Sequence, residues 1–305
     1  MRVGAAKQFW ETHDAWVREM ELARKRGDIG GLLVLADEAP VIAFRAEAYL
    51  KAGIALRKAE HFDFALEQLE KSLDVEPNQL LGLQEKGICL QRLAWLDKPG
   101  HSLDRARDHY RQILETHPND AETLALLGRI DKDAWVESWK NLATPDLRRD
   151  EAAYQDALLN QAITSYSQAF RRNLGHYYSG INALTLIHLG RDLKINNLHD
   201  EHADSMAGAV RFGSECEPNA GKLFWAKATL GDLQVLIGTP DTVTPAYKEA
   251  IIYAEQDWFA LKSSLTQLRL LASLGFQQET VNAGIETFQR TLARLQKPES
   301  KWQPR

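Results

Sequence analysis

Residues that mark cross-links, metal clusters or membrane spans are scarce in this chain. The 305 residues include only two cysteines, Cys89 and Cys216, and no CxxC pair. This excludes a zinc knuckle or a dithiol redox motif and predicts two buried thiols in a reducing compartment. No apolar run approaches the roughly 20 residues that a transmembrane helix needs, and the N-terminus becomes charged before any signal-like stretch develops. We therefore expect a cytoplasmic protein without membrane contact.

An excess of basic charge is also missing. Lysine and arginine total 37 against 42 acidic residues, which gives a formal net charge of −5. Nucleic acid is therefore not expected as a partner, because no basic face is available to neutralise phosphates. The sequence also lacks a GxSxG nucleophile elbow, a Ser-His-Asp order, a glycine-rich phosphate loop and the kinase motifs HRD and DFG. We predict no catalytic residues, no cofactor and no bound metal.

What the sequence does contain is apolar residues at helical spacing along nearly its whole length. The 10 prolines fall between these periodic segments rather than inside them, and β-branched alternation is nearly absent. Apolar residues that recur at three- and four-residue steps are typical of amphipathic helices. The sequence therefore predicts an all-α protein.

An internal repeat organises the first half of the chain. Gly53, Gly87 and Gly128 follow one another at intervals of 34 and 41 residues. Between them, one set of small and large residues recurs at the same offsets, namely Ala65, Leu69, Ser72 and Pro77, then Ala106, Tyr110, Ile113 and Pro118. A glycine in the first helix lets the second approach closely, and the proline ends each pair. We predict a TPR-like α-solenoid of about five or six antiparallel helix pairs.

The third repeat is interrupted after its first helix. The segment "DKDAWVESWKNLATPDLRRDEAAYQD", 131–156, separates that helix from the second helix "ALLNQAITSYSQAF". Trp135 and Trp139 are four residues apart, and aromatic residues at helical spacing are usually part of the core. We expect these two indoles to pack beneath the insertion.

Two short motifs in this region resemble a known family. "GRIDKDAW", 128–135, and "SGINALTL", 179–186, are similar to segments of the TRAFs-binding domain of the apoptosis signal-regulating MAP kinase kinase kinases, as is "WFALKSSLTQLRLL" farther along. The resemblance covers roughly residues 85–275 and implies a TPR-like array that binds adaptor proteins. Neither a kinase nor the thioredoxin-binding part is recognisable. The resemblance therefore implies a stand-alone bacterial homologue.

These observations divide the chain into four expected parts. They are N-terminal helices over 1–40, two TPR-like repeats over 41–120, an array similar to the TRAFs-binding domain over 121–295, and a tail over 296–305. The sequence makes no prediction of the oligomeric state.

Polar and aromatic residues of the third and fourth repeats form a candidate binding patch. They are Arg129, Lys132, Asp133, Tyr177, Tyr178 and Asn182. Because first helices of successive repeats line the concave groove of such arrays, these residues could grip a peptide or a small ligand. Alternatively they form a structural network, since buried polar groups must find partners.

Asn182 carries the most specific structural expectation. Its place in the fourth repeat corresponds to that of Gly53, Gly87 and Gly128 in the earlier repeats, where the helices approach most closely. Its side chain should therefore be nearly buried. We expect it to bond the backbone of the insertion or the Arg129–Asp133 pair. A second polar group, "NNLHDEHADS", contains His199 and His202, but it is not HExxH and is expected to be a solvated loop without metal.

The sequence thus favours a non-enzymatic scaffold that binds a protein or peptide on its concave face, in signalling or in stress and defence regulation. The alternative is a small-ligand sensor or an enzyme that uses the patch around Arg129, Asp133 and Asn182. No nucleophile, metal set or phosphate loop supports the alternative.

Overall fold

The computed structural model describes residues 2–39, 44–254 and 257–295. The predicted tail, 296–305, lies outside the described residues. In the described ranges every regular element is helical, which confirms the predicted all-α class. The chain forms two compact units, Met1–Pro118 and Asn119–Arg305.

The first unit contains two N-terminal helices and two helix pairs. Its helices are α1 Arg2–Arg26, α2 Ile29–Asp37, α3 Arg45–Lys58, α4 Phe62–Val75, α5 Leu80–Trp95 and α6 Leu103–Thr116. Helix α3 packs on α4 and α5 packs on α6, and α4 also packs on α5. Each pair is thus stacked on the next, as the repeat pattern predicted.

The second unit continues the same scheme. Its helices are α7 Ala121–Trp139, α8 Pro145–Tyr154, α9 Asp156–Arg172, α10 Tyr177–Asp192, α11 Ala203–Glu215, α12 Leu223–Ile237, α13 Pro240–Ile252, α14 Trp258–Ser273 and α15 Gln278–Arg294. Four pairs form here, because α7 packs on α9, α10 on α11, α12 on α13 and α14 on α15. The described residues therefore hold six pairs of TPR-like helices.

The repeat glycines lie where the helices of a pair touch. A Cβ atom added to Gly87 would lie 2.4 Å from Cε1 of Tyr110, and one added to Gly128 would lie 3.0 Å from the ring of Tyr166. A Cβ atom added to Gly53 would lie 2.7 Å from Cγ of Leu69 in α4. Since both tyrosines are fully buried, any side chain larger than hydrogen would displace a core ring. The predicted register of close contacts is confirmed.

Local sequence signals explain where several helices begin. Ser102, Asp120 and Thr144 precede α6, α7 and α8, and each side chain accepts a hydrogen bond from a backbone N–H of the first turn. Such caps satisfy donors that have no partner inside the helix. Pro145 then occupies the first turn of α8, where its missing N–H has no cost.

The insertion comes after the first helix of the third repeat, as predicted. Its first residues are helical and extend this helix, so that α7 is longer by more than two turns. Trp135 and Trp139 lie on this extension, are fully buried, and pack edge to face with ring centroids 5.2 Å apart. The Trp135 indole Nε1 donates to the backbone oxygen of Ala152 in α8 at 2.9 Å. The expectation that both indoles form a core beneath the insertion is confirmed.

Candidate functional site

The centre of the candidate patch is a hydrogen bond between two first helices. Lys132 of α7 donates from Nζ to Oδ1 of Asn182 in α10 at 3.1 Å. Asn182 in turn donates from Nδ2 to the backbone oxygen of Tyr178, one turn earlier in α10, at 2.9 Å. Lys132 and Asn182 are only partly buried, so the link lies on a face that solvent reaches. Two predicted patch residues from different repeats are thus brought into direct contact.

Asn182 does not occupy the position of closest helix approach. That position belongs to Gly180, where an added Cβ would lie 2.3 Å from Val210 and 3.1 Å from Phe170. Two residues along a helix rotate a side chain by about 200°, so Asn182 points away from this packed side. The prediction that Asn182 is nearly buried at the glycine position is therefore wrong.

Arg149 makes a second link between the insertion and the later helices. From α8 its Nη1 donates to Oδ2 of Asp192 at 2.7 Å and to the backbone oxygen of Leu274 at 2.8 Å, and its Nη2 donates to the Asp192 backbone oxygen at 3.1 Å. These acceptors lie at the C-terminal ends of α10 and α14, where helix dipoles favour a cation. Asn182 bonds the same insertion through the Lys132 side chain, rather than through its backbone as predicted.

Arg129 and Asp133 lie on the same stretch of α7 as Lys132 and are partly buried. Beside them is the hydroxyl of Tyr166 from α9. Tyr166 is fully buried, and its hydroxyl makes no hydrogen bond of standard geometry. Burial raises the pKa of Tyr166 well above its usual range, Tyr178 and Asp133 raise it further, and Arg129 partly opposes them. The buried phenol therefore interacts with Tyr178 and with the charged residues of α7, without a well-aligned hydrogen bond.

The two tyrosines at the start of α10 have different environments. Tyr177 is buried, and its hydroxyl donates to Oε2 of Glu217 at 2.9 Å. Burial and this carboxylate raise the pKa of Tyr177. Tyr178 is 44% exposed and packs edge-on against Tyr166 at 6.2 Å and His176 at 6.1 Å. Tyr178 thus belongs to the patch surface, whereas Tyr177 fastens α10 to the segment after α11.

Asp232 of α12 is a part of this region that the sequence interpretation missed. Its Oδ1 accepts a hydrogen bond from the Tyr247 hydroxyl at 2.6 Å. Burial raises the pKa of Asp232 to about 6, while Tyr247 and the charge of Lys132 act in the opposite direction. Lys132 therefore acts electrostatically on α12 as well as α10. The available signal was Gly231, which faces Tyr247 as Gly87 faces Tyr110 and so identified α12 as another first helix.

A Ser-His-acid arrangement occurs at the start of α10. His176 contacts Oε2 of Glu122 through Nε2 at 2.9 Å and Oγ of Ser179 through Nδ1 at 2.5 Å. Ser179, however, is fully buried within the first turn of α10, so its hydroxyl is inaccessible to a substrate. Nucleophilic catalysis requires an accessible oxygen. The arrangement is best understood as a polar support for the start of the helix.

The histidine-containing loop before α11 is held by local hydrogen bonds. Asp200 accepts from Arg191 through its carboxylate at 2.5 Å and through its backbone oxygen at 2.9 Å, and the His199 backbone N–H donates to Asn197 at 2.7 Å. In residues 2–39, 44–254 and 257–295, no three His, Cys, Asp or Glu side chains are arranged to hold a metal ion. Within the same ranges, no helix has the length and apolar character to cross a membrane.

The cysteines have contrasting positions. Cys89 is buried in α5, and burial raises the pKa of its thiol to about 12. Cys216 follows α11 and is exposed, so the prediction that both thiols are buried is wrong for this residue. Since the thiolate is the nucleophilic form, Cys89 is unreactive at neutral pH.

Comparison with known proteins places this chain among helical-repeat proteins. The family model described as TPR-S, Tetratricopeptide Repeats-Sensor, matches residues 61–187. Photosystem I assembly protein Ycf3 from Synechococcus sp. (strain CC9605) is 29% identical over 140 residues, which is 45% of this chain and 74% of that protein. Ycf3 from Prochlorococcus marinus (strain NATL1A) is 28% identical over the same length and the same shares.

Solved structures give more distant similarities. MamA residues 41-end from Desulfovibrio magneticus RS-1 matches with a TM-score of 0.43 and 16% identity, over 68% of this chain and 98% of that one. The human IFIT1 dimer matches with a TM-score of 0.31 and 14% identity, over 95% of this chain and 84% of that one. The family-model match and the helix pairs together identify a TPR-like helical-repeat chain, and the architecture supports an interaction scaffold.

Proposed function

We propose that this chain is a non-enzymatic scaffold that binds a protein or peptide partner on the concave face formed by its first helices. The observation that carries this proposal is the partly exposed hydrogen bond between Lys132 and Asn182, with the exposed ring of Tyr178 beside it. Because this bond is only partly buried, the remaining donors and acceptors of its two side chains can also reach a partner. Here a charge, an amide and an aromatic ring remain available on one face.

The composition of this face suits a polypeptide partner. Amide and ammonium groups can bond backbone and side-chain oxygens of a peptide, and a tyrosine provides rigid contact area at small entropic cost. The net charge of −5 argues against nucleic acid and against anionic membranes as partners. Ycf3, which is similar to part of this chain, is named for the assembly of photosystem I, and such a role requires protein contacts.

The cellular role belongs to the same proposal. "GRIDKDAW" lies on α7 and "SGINALTL" lies on α10, so the two motifs that resemble the TRAFs-binding domain are on the two helices that carry the Lys132–Asn182 bond. We infer a bacterial, cytoplasmic protein related to that domain, which acts in signalling or in stress and defence regulation. Its partners would be adaptor-like proteins.

The test is partner capture with matched variants. Wild-type protein, Lys132→Ala, Tyr178→Ala and the control Lys248→Ala serve as baits in native lysate, and quantitative mass spectrometry compares the captured proteins. Lys248 is exposed on α13, the second helix of its pair. We expect one partner to be lost with the first two variants and kept with the control, at equal melting temperatures. A partner that all four baits retain would contradict binding through this face.

A second candidate function, a small-ligand sensor, has its own specific observation. The Tyr166 hydroxyl is buried without a standard hydrogen bond beneath Arg129 and Asp133, and the TPR-S match, whose description includes the word sensor, covers this region. A ligand that supplies the missing partner would bind the folded state alone and raise its stability. The test adds a low-molecular-mass filtrate of lysate to dialysed protein. A rise in melting temperature that Lys132→Ala abolishes would support the sensor.

A further inference from the structure

A rigid turn between α9 and α10 projects a leucine into solvent. The Asn173 side chain accepts from the Gly175 backbone N–H at 2.9 Å, and the Asn173 backbone oxygen accepts from the His176 N–H at 2.9 Å. Side-chain and backbone bonds of this kind fix the conformation of a turn. Leu174, at its tip, is 59% exposed. The exposed leucine is therefore held in place before any partner binds.

The end of α11 lies directly against this turn. A Cβ atom added to Gly213 would lie 2.9 Å from the backbone oxygen of Leu174, so the two segments are in close contact. Phe212, the residue before Gly213, is 69% exposed. Single exposed apolar residues are common on protein surfaces, but here two large ones come from adjoining segments. The contact between the two backbones thus brings two exposed apolar residues into the same part of the second unit.

Three arginines lie close in sequence to the two apolar residues. Arg171 and Arg172 end α9, and Arg211 precedes Phe212 in α11; all three are exposed. Within the described part of the chain, none of these three makes an ion pair or a side-chain hydrogen bond, in contrast to Arg149 and Arg191, which bond aspartates. We call Arg171, Arg172, Leu174, Arg211 and Phe212 the arginine–apolar patch.

In the part of the chain that the structure describes, neither Glu215 nor Glu217 forms an ion pair with the arginines of this patch. Glu217 accepts from the Tyr177 hydroxyl and from the Asn219 backbone N–H. Glu215 acts electrostatically on Lys227 of α12. With three exposed arginines, the arginine–apolar patch is more basic than the chain as a whole, whose net charge is −5. A basic surface of this kind attracts acidic groups.

We propose that the arginine–apolar patch docks an acidic segment of a protein partner that carries an aromatic or aliphatic anchor between aspartates and glutamates. Arginine guanidinium groups form paired hydrogen bonds with carboxylates, and arginine and aromatic residues dominate binding energy at protein interfaces. Phe212 and Leu174 supply the apolar contact for the anchor. This surface lies beyond the first-helix face of the proposed function, and its test is independent of it.

Charge complementarity favours a peptide over a lipid surface. A membrane-binding face presents many basic residues around a wide apolar surface, whereas this patch has three arginines and two apolar side chains. The overall negative charge of the chain also opposes approach to an anionic bilayer. A short acidic segment matches the size and sign of the patch.

The experiment measures fluorescence anisotropy of a short labelled peptide with phenylalanine and leucine between aspartates and glutamates, added to the full chain. One comparison peptide has the acids replaced by their amides, and another has the apolar residues replaced by serine. Vesicles of phosphatidylserine and phosphatidylcholine form a separate arm. The first variant combines Arg172→Glu with Arg211→Glu, and the second is Phe212→Ser. The control is Arg269→Glu, at an exposed position of α14.

We expect the acidic peptide to bind more tightly than either comparison peptide, with affinity that falls as salt is added. The double arginine variant and Phe212→Ser should each weaken binding by about tenfold or more, and Arg269→Glu should not. If the double Glu variant folds poorly, the double Gln variant replaces it. Equal binding of the three peptides, or variants without effect, would overturn the proposal. Vesicle binding that exceeds peptide binding and is lost with the same variants would also overturn it.

Discussion

At the scale of single residues, protonation of Asp232 couples folding to pH in the acidic range. Its pKa rises from 3.8 in the unfolded chain to about 6 in the folded protein, chiefly because the carboxyl is buried. The folded state therefore holds this proton when the unfolded state has released it, and stability falls as pH rises from about 4 to about 6. Above about pH 6 the whole free-energy cost of burying the ionised carboxylate remains.

Asp232→Asn removes this cost and keeps an acceptor for the Tyr247 hydroxyl. We predict that the variant is more stable than wild type by on the order of 1–3 kcal/mol at pH 7.5, and that the difference shrinks toward zero near pH 4. Urea unfolding at the two pH values measures it. A gain in stability that is independent of pH would show that the effect does not arise from ionisation of this carboxyl.

Asn182→Ala tests the contact between α7 and α10. The variant loses the bonds to Lys132 and to the Tyr178 backbone, each worth about 1 kcal/mol or less on a partly exposed face, while alanine gains roughly 0.5 kcal/mol in helix propensity. We predict a net loss of about 1 kcal/mol or less by chemical denaturation. Asn182→Asp, which still accepts from Lys132, should be closer to wild type. A loss above about 3 kcal/mol would restore the buried joint that the sequence suggested.

Several features of the patch were foreseeable at this scale and others were not. Lys132 and Asn182 could be assigned to first helices of adjacent repeats, and this predicted that they could meet. Tyr166 and Asp232 were missed because a tyrosine and an aspartate in regular helices carry no local signal of what lies above them. Asn182 was assigned to the glycine position although Gly180 lies two residues before it, and that error reversed its expected burial.

At the scale of helices, contact within a pair depends on glycine. Gly87→Leu should destabilise the fold by about 1–3 kcal/mol, because a Cβ would already lie 2.4 Å from the buried Tyr110 ring. Gly208→Ala in α11 is a matched control, since an added Cβ there meets no atom within 4 Å. Because alanine has a higher helix propensity than glycine, this control should slightly increase the stability of the fold. Thermal melts with the same sign for both variants would contradict the assigned contact.

Helix α8 depends on a few polar bonds rather than on a large apolar face. Ala152 is its one buried residue, and Arg149 supplies three bonds to the ends of α10 and α14. Arg149→Ala should cost about 1–3 kcal/mol and increase hydrogen exchange in α8 before other helices. Arg149→Lys retains the charge but not the paired donors, so it should restore only part of the protection. Unchanged exchange in α8 would contradict this role.

The helices themselves were largely predictable because their signals are local. Ser102, Asp120 and Thr144 begin helices through bonds to the next few residues, and the glycine spacing sets which faces meet. The course of the insertion was less predictable. Arg149 bonds Leu274, 125 residues away, and neither residue type nor spacing identifies such a partner in a single sequence.

At the scale of the whole molecule, the proposed binding face belongs to a TPR-like array. Six helix pairs in the described residues form two compact units, and the Lys132–Asn182 bond lies in the second. Solenoids bury each repeat against its neighbours and leave a row of first helices for partners. The central claim is that a protein partner occupies this row at α7 and α10.

Hydrogen–deuterium exchange of the full chain, with and without the partner captured by the wild-type bait, tests this claim most directly. Binding at the first-helix face should slow exchange in peptides that cover 129–133 and 178–182, and Lys132→Ala should remove the added protection. Peptides from exposed second helices, such as the one around Lys248, should exchange at the same rate in both states. Protection confined to the second helices, with α7 and α10 unchanged, would contradict the account.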